Sequence, residues 1–185
     1  MTAGLDRLLA SYVREVPDYP VPGVLFQDIG PLLARPEGLA AVVAGLADAV
    51  ADLDVQVVAG IEARGFLLAA PLALRLGVGV VQLRKAGKLP PPTWQTDYKL
   101  EYGTDTLELS QLVLLPNSRV LIVDDVLATG GTAAAAIELL RQADVQVVGL
   151  LVLLELVALG GRAALAGSAV SAQVPVEALW RTAAP

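Results

Sequence analysis

Val120-Leu121-Ile122-Val123-Asp124-Asp125-Val126-Leu127-Ala128-Thr129-Gly130-Gly131-Thr132 is the stretch whose reading decides the fold. It opens with four apolar residues, three of them β-branched, the pattern of a strand buried on both faces. Two carboxylates follow where such a strand should emerge. Small residues and two glycines come next, and then Ala133 to Leu140, rich in good helix formers. The unit reads as strand, acidic pair, small-residue loop, helix.

That order carries a chemistry. A helix start has unpaired backbone N–H groups and a partial positive charge. Glycines without Cβ let an anion approach those groups closely. Thr129 and Thr132 add hydroxyl donors. The loop suits a phosphate, which Asp124 and Asp125 would repel on contact; beside it, they would accept hydrogen bonds from a diol such as ribose. A phosphate and a diol a few ångströms apart describe a ribose 5-phosphate. The Walker loop is excluded, because Thr132 and Ala133 follow Gly131 where a Lys is needed. The G-x-G-x-x-G dinucleotide fingerprint is absent from the stretch. The bland alternative is a plain strand-to-helix turn with Thr129 as N-cap. Two carboxylates after a buried strand weigh against it, since they are costly there without a partner.

Bulk properties narrow the field. With 185 residues, the chain suits one domain with a substantial core. Its net charge is −6, which argues against nucleic-acid binding as the main task. An anionic ligand must then be held by local donors and not by a global field. Aromatics make up only 4%, so an aromatic platform for stacked bases is not expected. The chain has neither Cys nor His, which removes thiol nucleophiles, Cys-ligated zinc and His-based triads and metal sites. Acid–base work falls to Asp, Glu, Lys or Tyr. Met1 to Ala10 carries Asp6 and Arg7 and lacks a signal-peptide core. The apolar run from Val145 to Leu159 is broken by Gln146 and Glu155 and is too short to span a membrane. A cytoplasmic protein without membrane or nucleic-acid partners is expected.

The rest of the chain alternates. Leu5 to Val13 has the spacing of an amphipathic helix. Pro17, Pro20, Pro22 and Gly23 predict an extended connector leading to Val24-Leu25-Phe26-Gln27. A helix is expected from Glu37 to about Leu53, a strand over Val55 to Ile61, a helix over Leu67 to Leu76 and a strand over Gly79 to Leu83. Beyond the central stretch, a strand is expected over Val145 to Leu154. A short helix follows from Gly160 to Ala166, and Val170 to Val174 reads as the final strand. Alternating strands and helices give an α/β fold with a parallel sheet, whose ligands sit at the carboxyl ends of the strands. Glu62 to Gly65, Arg84-Lys85 and Asp124-Asp125 all fall at such ends. Between Arg84 and Thr106 runs a long connection whose first part carries Arg84, Lys85 and Lys88. It is read as a hinged cationic lid over an anionic ligand, against a solvated hairpin.

These residues carry a resemblance. Val120 to Thr132 resembles the phosphoribosyl pyrophosphate (PRPP) loop of the type I phosphoribosyltransferases. Further segments are similar to the adenine-using branch of that family: Asp18 to Phe26, Gly60 to Phe66, Arg84-Lys85, Gly87 to Pro90, and Leu100-Glu101-Tyr102-Gly103. The resemblance covers nearly the whole chain. It implies a central, mostly parallel twisted sheet flanked by helices, in one domain over 1–185. A small N-terminal hood would occupy about 1–35, and a long flexible lid loop about 84–106. It implies the reaction adenine + PRPP → AMP + pyrophosphate, assisted by Mg²⁺, in a cytoplasmic homodimer.

It also implies roles. Ala128, Thr129, Gly130, Gly131 and Thr132 would hold the 5-phosphate. Asp124 and Asp125 would hold the ribose hydroxyls and touch Mg²⁺ at most through water, the metal arriving with PRPP. Arg64 would stabilise charge on departing pyrophosphate, preceded by a strained cis peptide at Glu62–Ala63. Arg84, Lys85 and Lys88 would reach pyrophosphate, in their own subunit or the neighbouring one. Glu101 would handle the proton of the base, and Tyr102 would close over the reaction centre. Leu25, Phe26, Gln27 and Leu156 would surround adenine. The chain departs from the pattern at Gln27, where relatives commonly carry Arg, at Ala86, and at Pro91-Pro92, which stiffen the lid. Two other readings stand beside this one: a transferase for xanthine or another 6-oxopurine, and a non-catalytic PRPP-sensing regulator. The intact lid and Glu101 disfavour the regulator, as does the short stretch before Phe26, too short for a winged helix.

Overall fold

A computed structural model of the chain describes residues 3–99 and 104–183. Its core is a seven-stranded sheet. The strands are β3 (Val57–Ile61), β4 (Gly79–Lys85), β5 (Thr93–Lys99), β6 (Thr104–Ser110), β7 (Arg119–Leu127), β8 (Gln146–Leu156) and β9 (Val176–Thr182), in the spatial order β5-β6-β4-β3-β7-β8-β9. From β4 to β9 neighbours run parallel; β6 adds antiparallel to β4, and β5 pairs antiparallel with β6. A separate two-stranded hairpin, β1 (Arg14–Pro17) with β2 (Leu25–Asp28), lies near the N-terminus.

Strand β7 shows why the sheet is buried on both faces. Val120 and Ile122 pack into one apolar cluster, with Ala136, Ile137 and Leu140 of helix α5 (Gly131–Gln142). Leu121 and Val123 pack into another, formed with helices α1 (Ala3–Tyr12), α3 (Pro36–Ala49) and α4 (Gly65–Leu76). The period-two alternation of one strand feeds two cores. Truncating Ile122, which is fully buried, to Ala should cost about 2–5 kcal/mol, and to Val about 1 kcal/mol. Urea unfolding at constant m-value checks this.

The expected elements recur with shifted bounds, and several expectations need correcting. The segment read as a loop over 84–106 contains β5 and the start of β6, paired from Thr93↔Ser110 to Lys99↔Thr104. Only 86–92 lies between strands on its first side. The prolines and lysines mask the alternation of Trp94, Thr96 and Tyr98, which supplies the strand. Asp124 and Asp125 lie within β7, not after it, because the ladder to β8 continues through Leu127↔Glu155. Val170 to Val174 is a run of turns closed by Val174 N–H to the Ser171 carbonyl; the last strand is β9, inside the tail that sequence left unassigned. Strand β1 lies just ahead of the proline-rich connector and ends at its first proline, Pro17, and a short helix α2 (Gly30–Leu33) follows β2. Among the described residues no helix is long and apolar enough to cross a membrane.

Candidate active site

Helix α5 begins at Gly131 without a side-chain cap, and Gly130 before it has φ +88°. A left-handed residue there favours glycine, and the first N–H groups of the helix are left for a ligand. Thr129 is therefore not the N-cap. The loop lines a cavity of about 130 Å³ together with Asp124, Val126 and Leu127, above Leu150 and Val152. The phosphate residues Ala128, Thr129, Gly130, Gly131 and Thr132 all border it.

Residues from β2, from β7 and from the turn after β3 meet at Arg64. Arg64, just after β3, places one guanidinium nitrogen 2.8 Å from Asp125 Oδ2 in β7. Its other terminal nitrogen donates to the Gln27 carbonyl at 3.1 Å. Its guanidinium carbon stands 4.5 Å from the centre of the Phe26 ring, a cation–π contact. One side chain thus ties the hairpin strand β2 to the acidic pair. Gly65 is essential to the approach: a Cβ there would sit 2.8 Å from the Val123 carbonyl and 3.0 Å from Asp124 Oδ1. The Glu62–Ala63 peptide is cis.

The two aspartates are not equivalent. Asp124 Oδ1 accepts the Asp125 N–H at 2.9 Å. Burial, followed by the charge of Asp125, pushes the Asp124 carboxyl well above the usual range. Burial also raises Asp125, but the Arg64 guanidinium opposes it. Asp124 lines the cavity, while Asp125 is buried against Arg64.

Two cations of the expected lid, Arg84 and Lys85, are ion-paired at rest. Arg84 Nε lies 3.3 Å from Glu62 Oε2, and Lys85 Nζ lies 2.9 Å from Asp105 Oδ2. Burial pushes Glu62 up, but the hydrogen bonds from Arg84 and the Lys85 N–H prevail and lower it. Lys85 hydrogen-bonds Asp105, raising the lysine and lowering the carboxyl. Lys88 is exposed, and its carbonyl accepts from Arg84 at 3.4 Å. Glu101 and Tyr102 lie outside the described residues.

Around the expected base pocket, Tyr19 meets Phe26 edge-on at 5.1 Å between ring centres. Leu25 is half-buried at the start of β2. Gln27 is 6% exposed and its amide reaches Glu15 Oε1 at 3.5 Å, so its side chain is turned toward β1. Leu156 is buried at the end of β8. Sequence reasoning missed Tyr19, Asp105 and Tyr98, whose hydroxyl bonds Asp105 and Thr132. It also missed a buried Glu155 held by Arg162 and Arg181. A lone carboxylate in an apolar run was the available signal for Glu155, since a buried charge requires partners.

Comparison with known proteins fits this geometry. Residues 32–164 match the family model described as the phosphoribosyl transferase domain. An adenine phosphoribosyltransferase of Thermobifida fusca is 55% identical, the match covering 90% of this chain and 94% of the relative. One of Streptomyces coelicolor is 52% identical over 95% of this chain and 96% of its own. Among solved structures, the adenine phosphoribosyltransferase of Thermoanaerobacter pseudethanolicus superposes with a TM-score of 0.90 at 41% identity, covering 96% of this chain and 99% of that one. That of Saccharomyces cerevisiae, solved with an imino-altritol bisphosphate and adenine, gives 0.87 at 36% identity, with 96% and 99% covered. The chain belongs to the adenine phosphoribosyltransferase family, within the type I phosphoribosyltransferases.

Proposed function

We infer that the chain transfers the phosphoribosyl group of PRPP to adenine, releasing AMP and pyrophosphate, a purine-salvage reaction. The observation that carries this is the single Arg64 guanidinium held between Asp125, Phe26 and the Gln27 carbonyl, beside the uncapped start of α5. It joins the Phe26 ring of the expected base side, a diol site and a phosphate site at one rim.

In the reaction the C1′–O bond to pyrophosphate breaks and the bond from adenine N9 to C1′ forms. The electron pair leaves with pyrophosphate, and the proton of N9 goes to Glu101. Ala128 to Thr132 fix the 5-phosphate, and Asp124 and Asp125 accept from the ribose hydroxyls. Orientation of this kind removes much of the entropic cost of a two-substrate step. Arg64 turns to the leaving group and offsets its growing charge. Arg84 and Lys85 exchange their resting partners for pyrophosphate oxygens, the exposed Lys88 joins them, and Tyr102 closes over the sugar to exclude water. The hood over about 1–35 carries Leu25, Phe26 and Gln27 to the base, with Leu156 on the facing side.

Among the described residues no group of three or more acidic side chains could hold a metal ion. The hard oxygens of Asp124 and Asp125 would meet Mg²⁺ through water, the metal arriving with PRPP. When bound, Mg²⁺ neutralises part of the pyrophosphate charge. The working unit is a homodimer in the cytoplasm. Leu67 and Leu74, at 58% and 83% exposed on α4, with Val80 at 49% on β4, supply an apolar surface for a second copy.

The test is direct. Incubation with adenine, PRPP and Mg²⁺ should yield AMP and pyrophosphate in equal amounts, and chelation of the metal should stop both. Pyrophosphate without AMP, or no product, would overturn the reading.

A further inference from the structure

We propose that Gly161 and the ion pair beneath it, Glu155 with Arg162, are positioning residues for the 5-phosphate loop, although none of them touches the ligand. The proposal rests on the reading of Ala128 to Thr132 as that loop.

A Cβ on Gly161 would lie 2.2 Å from the Ala128 carbonyl oxygen and 3.0 Å from the Gly130 nitrogen. Reciprocally, a Cβ on Gly130 would lie 2.9 Å from the Gly161 carbonyl oxygen. Two backbones therefore meet with no side chain between them. Neither clash is with the end of a flexible side chain, so relief requires the loop itself to move. Gly161 opens a short helix, α6 (Gly161–Ala166), and it forms the shelf on which the loop rests.

The shelf is anchored from below. The Glu155 side chain, 4% exposed, accepts from Arg162 Nε at 3.0 and 3.1 Å and from its terminal nitrogen at 2.7 Å. Arg181 of β9 closes the cluster at 3.0 Å. Arg162 also donates to the Val176 carbonyl. A forked guanidinium on a buried carboxylate fixes direction as well as distance. The residue after Gly161 is thus pinned to two strands of the sheet, and the shelf inherits their rigidity. Leu156, next to Glu155 at the end of β8, belongs to the expected base pocket.

The experiment measures ribose 5-phosphate binding by calorimetry alongside the KM for PRPP and for adenine. Gly161→Ala should weaken ribose 5-phosphate by roughly tenfold to a hundredfold, the cost of a displacement near 1 Å. The KM for PRPP should rise in step while that for adenine changes little. Arg162→Met, which leaves Glu155 its contact with Arg181, should give a smaller effect of the same pattern, and Arg162→Lys should restore only part of it. Gly77→Ala is the control for backbone strain, since Gly77 has φ +71° in open space at the end of α4; it should lower the unfolding temperature and leave both KM values alone. Wild-type binding with unchanged ribose 5-phosphate affinity in Gly161→Ala and Arg162→Met overturns the positioning role. Equal losses for both substrates also overturn it, because they describe general loosening. No binding of ribose 5-phosphate by the wild type overturns the loop reading itself, and the proposal with it.

Discussion

Replacing Arg64 by Gln should lower turnover by roughly 10²- to 10³-fold, the usual loss when a preorganised charge-stabilising donor is removed from an active site. Three contacts disappear together: the ion pair with Asp125, the hydrogen bond to Gln27 and the cation on Phe26. The Asp125 carboxyl, already raised by burial, then loses the charge that opposes the rise. Arg64→Lys keeps a cation but cannot span three partners, so it should recover only part of the rate. The fold should survive both changes, because Arg64 is half-buried at the rim and belongs to neither apolar cluster. Steady-state pyrophosphate release together with circular dichroism checks this. Unchanged turnover in Arg64→Gln would remove the residue from the mechanism.

Asp124→Asn should move stability and activity in opposite directions. Burial and the neighbouring Asp125 hold the Asp124 carboxyl well above its ordinary value of 3.8. Such a group binds its proton more tightly in the folded state than in the unfolded state. Its favourable contribution is present below the unfolded value and is lost as pH rises through the folded one. Above that raised value the native state bears a half-buried, poorly compensated charge. Asn removes that charge and can still accept the Asp125 N–H. The variant should melt about 3 °C higher at neutral pH, the shift that ~1 kcal/mol produces at this chain length. The advantage should shrink as pH falls through the acid range. Turnover should drop roughly 10- to 100-fold, since a charged acceptor for the ribose diol is lost. Melting curves across pH and kcat/KM for PRPP test the two halves separately. A variant that is both less stable and fully active would contradict the assignment. The opposite sign holds for Glu155, which Arg162 keeps below the ordinary carboxylate value; its contribution is present at neutral pH and is lost as pH falls through that lowered value.

The central unit was legible because its signals are local. A β-branched apolar run, an acidic pair, glycines and an alanine-rich helix each announce themselves within a few residues, and they define both the parallel sheet and the phosphate loop. What sequence did not disclose depends on pairing. Thr93 to Lys99 reads as loop because its neighbours are lysines, prolines and glycines, yet Thr104–Ser110 offers it a complete antiparallel partner. Residues 176–182 lie past the stretch read as the final strand, but β8 presents an open edge that they close. The reach of Asp124 and Asp125 into the strand is likewise set by β8, which continues the ladder past them. The same holds in the site. Arg64 and Asp125 could be named from their surroundings in the chain, whereas the bond from Arg64 to the Gln27 carbonyl spans 37 positions of chain. Glu155 illustrates the limit best. Alone it is an interruption in an apolar run, and only the fold brings Arg162 and Arg181 to it.

Base discrimination is the most direct test of the account. Pyrophosphate release from PRPP with Mg²⁺ should be measured with adenine, hypoxanthine, guanine and xanthine supplied in turn. The account predicts release with adenine only, matched by AMP, with the Gln27 side chain engaged by Glu15 and therefore tolerated. Release with a 6-oxopurine would leave the fold and the phosphate loop standing but contradict the assigned substrate. PRPP binding without release on any base would contradict the catalytic account and favour a PRPP-sensing regulator.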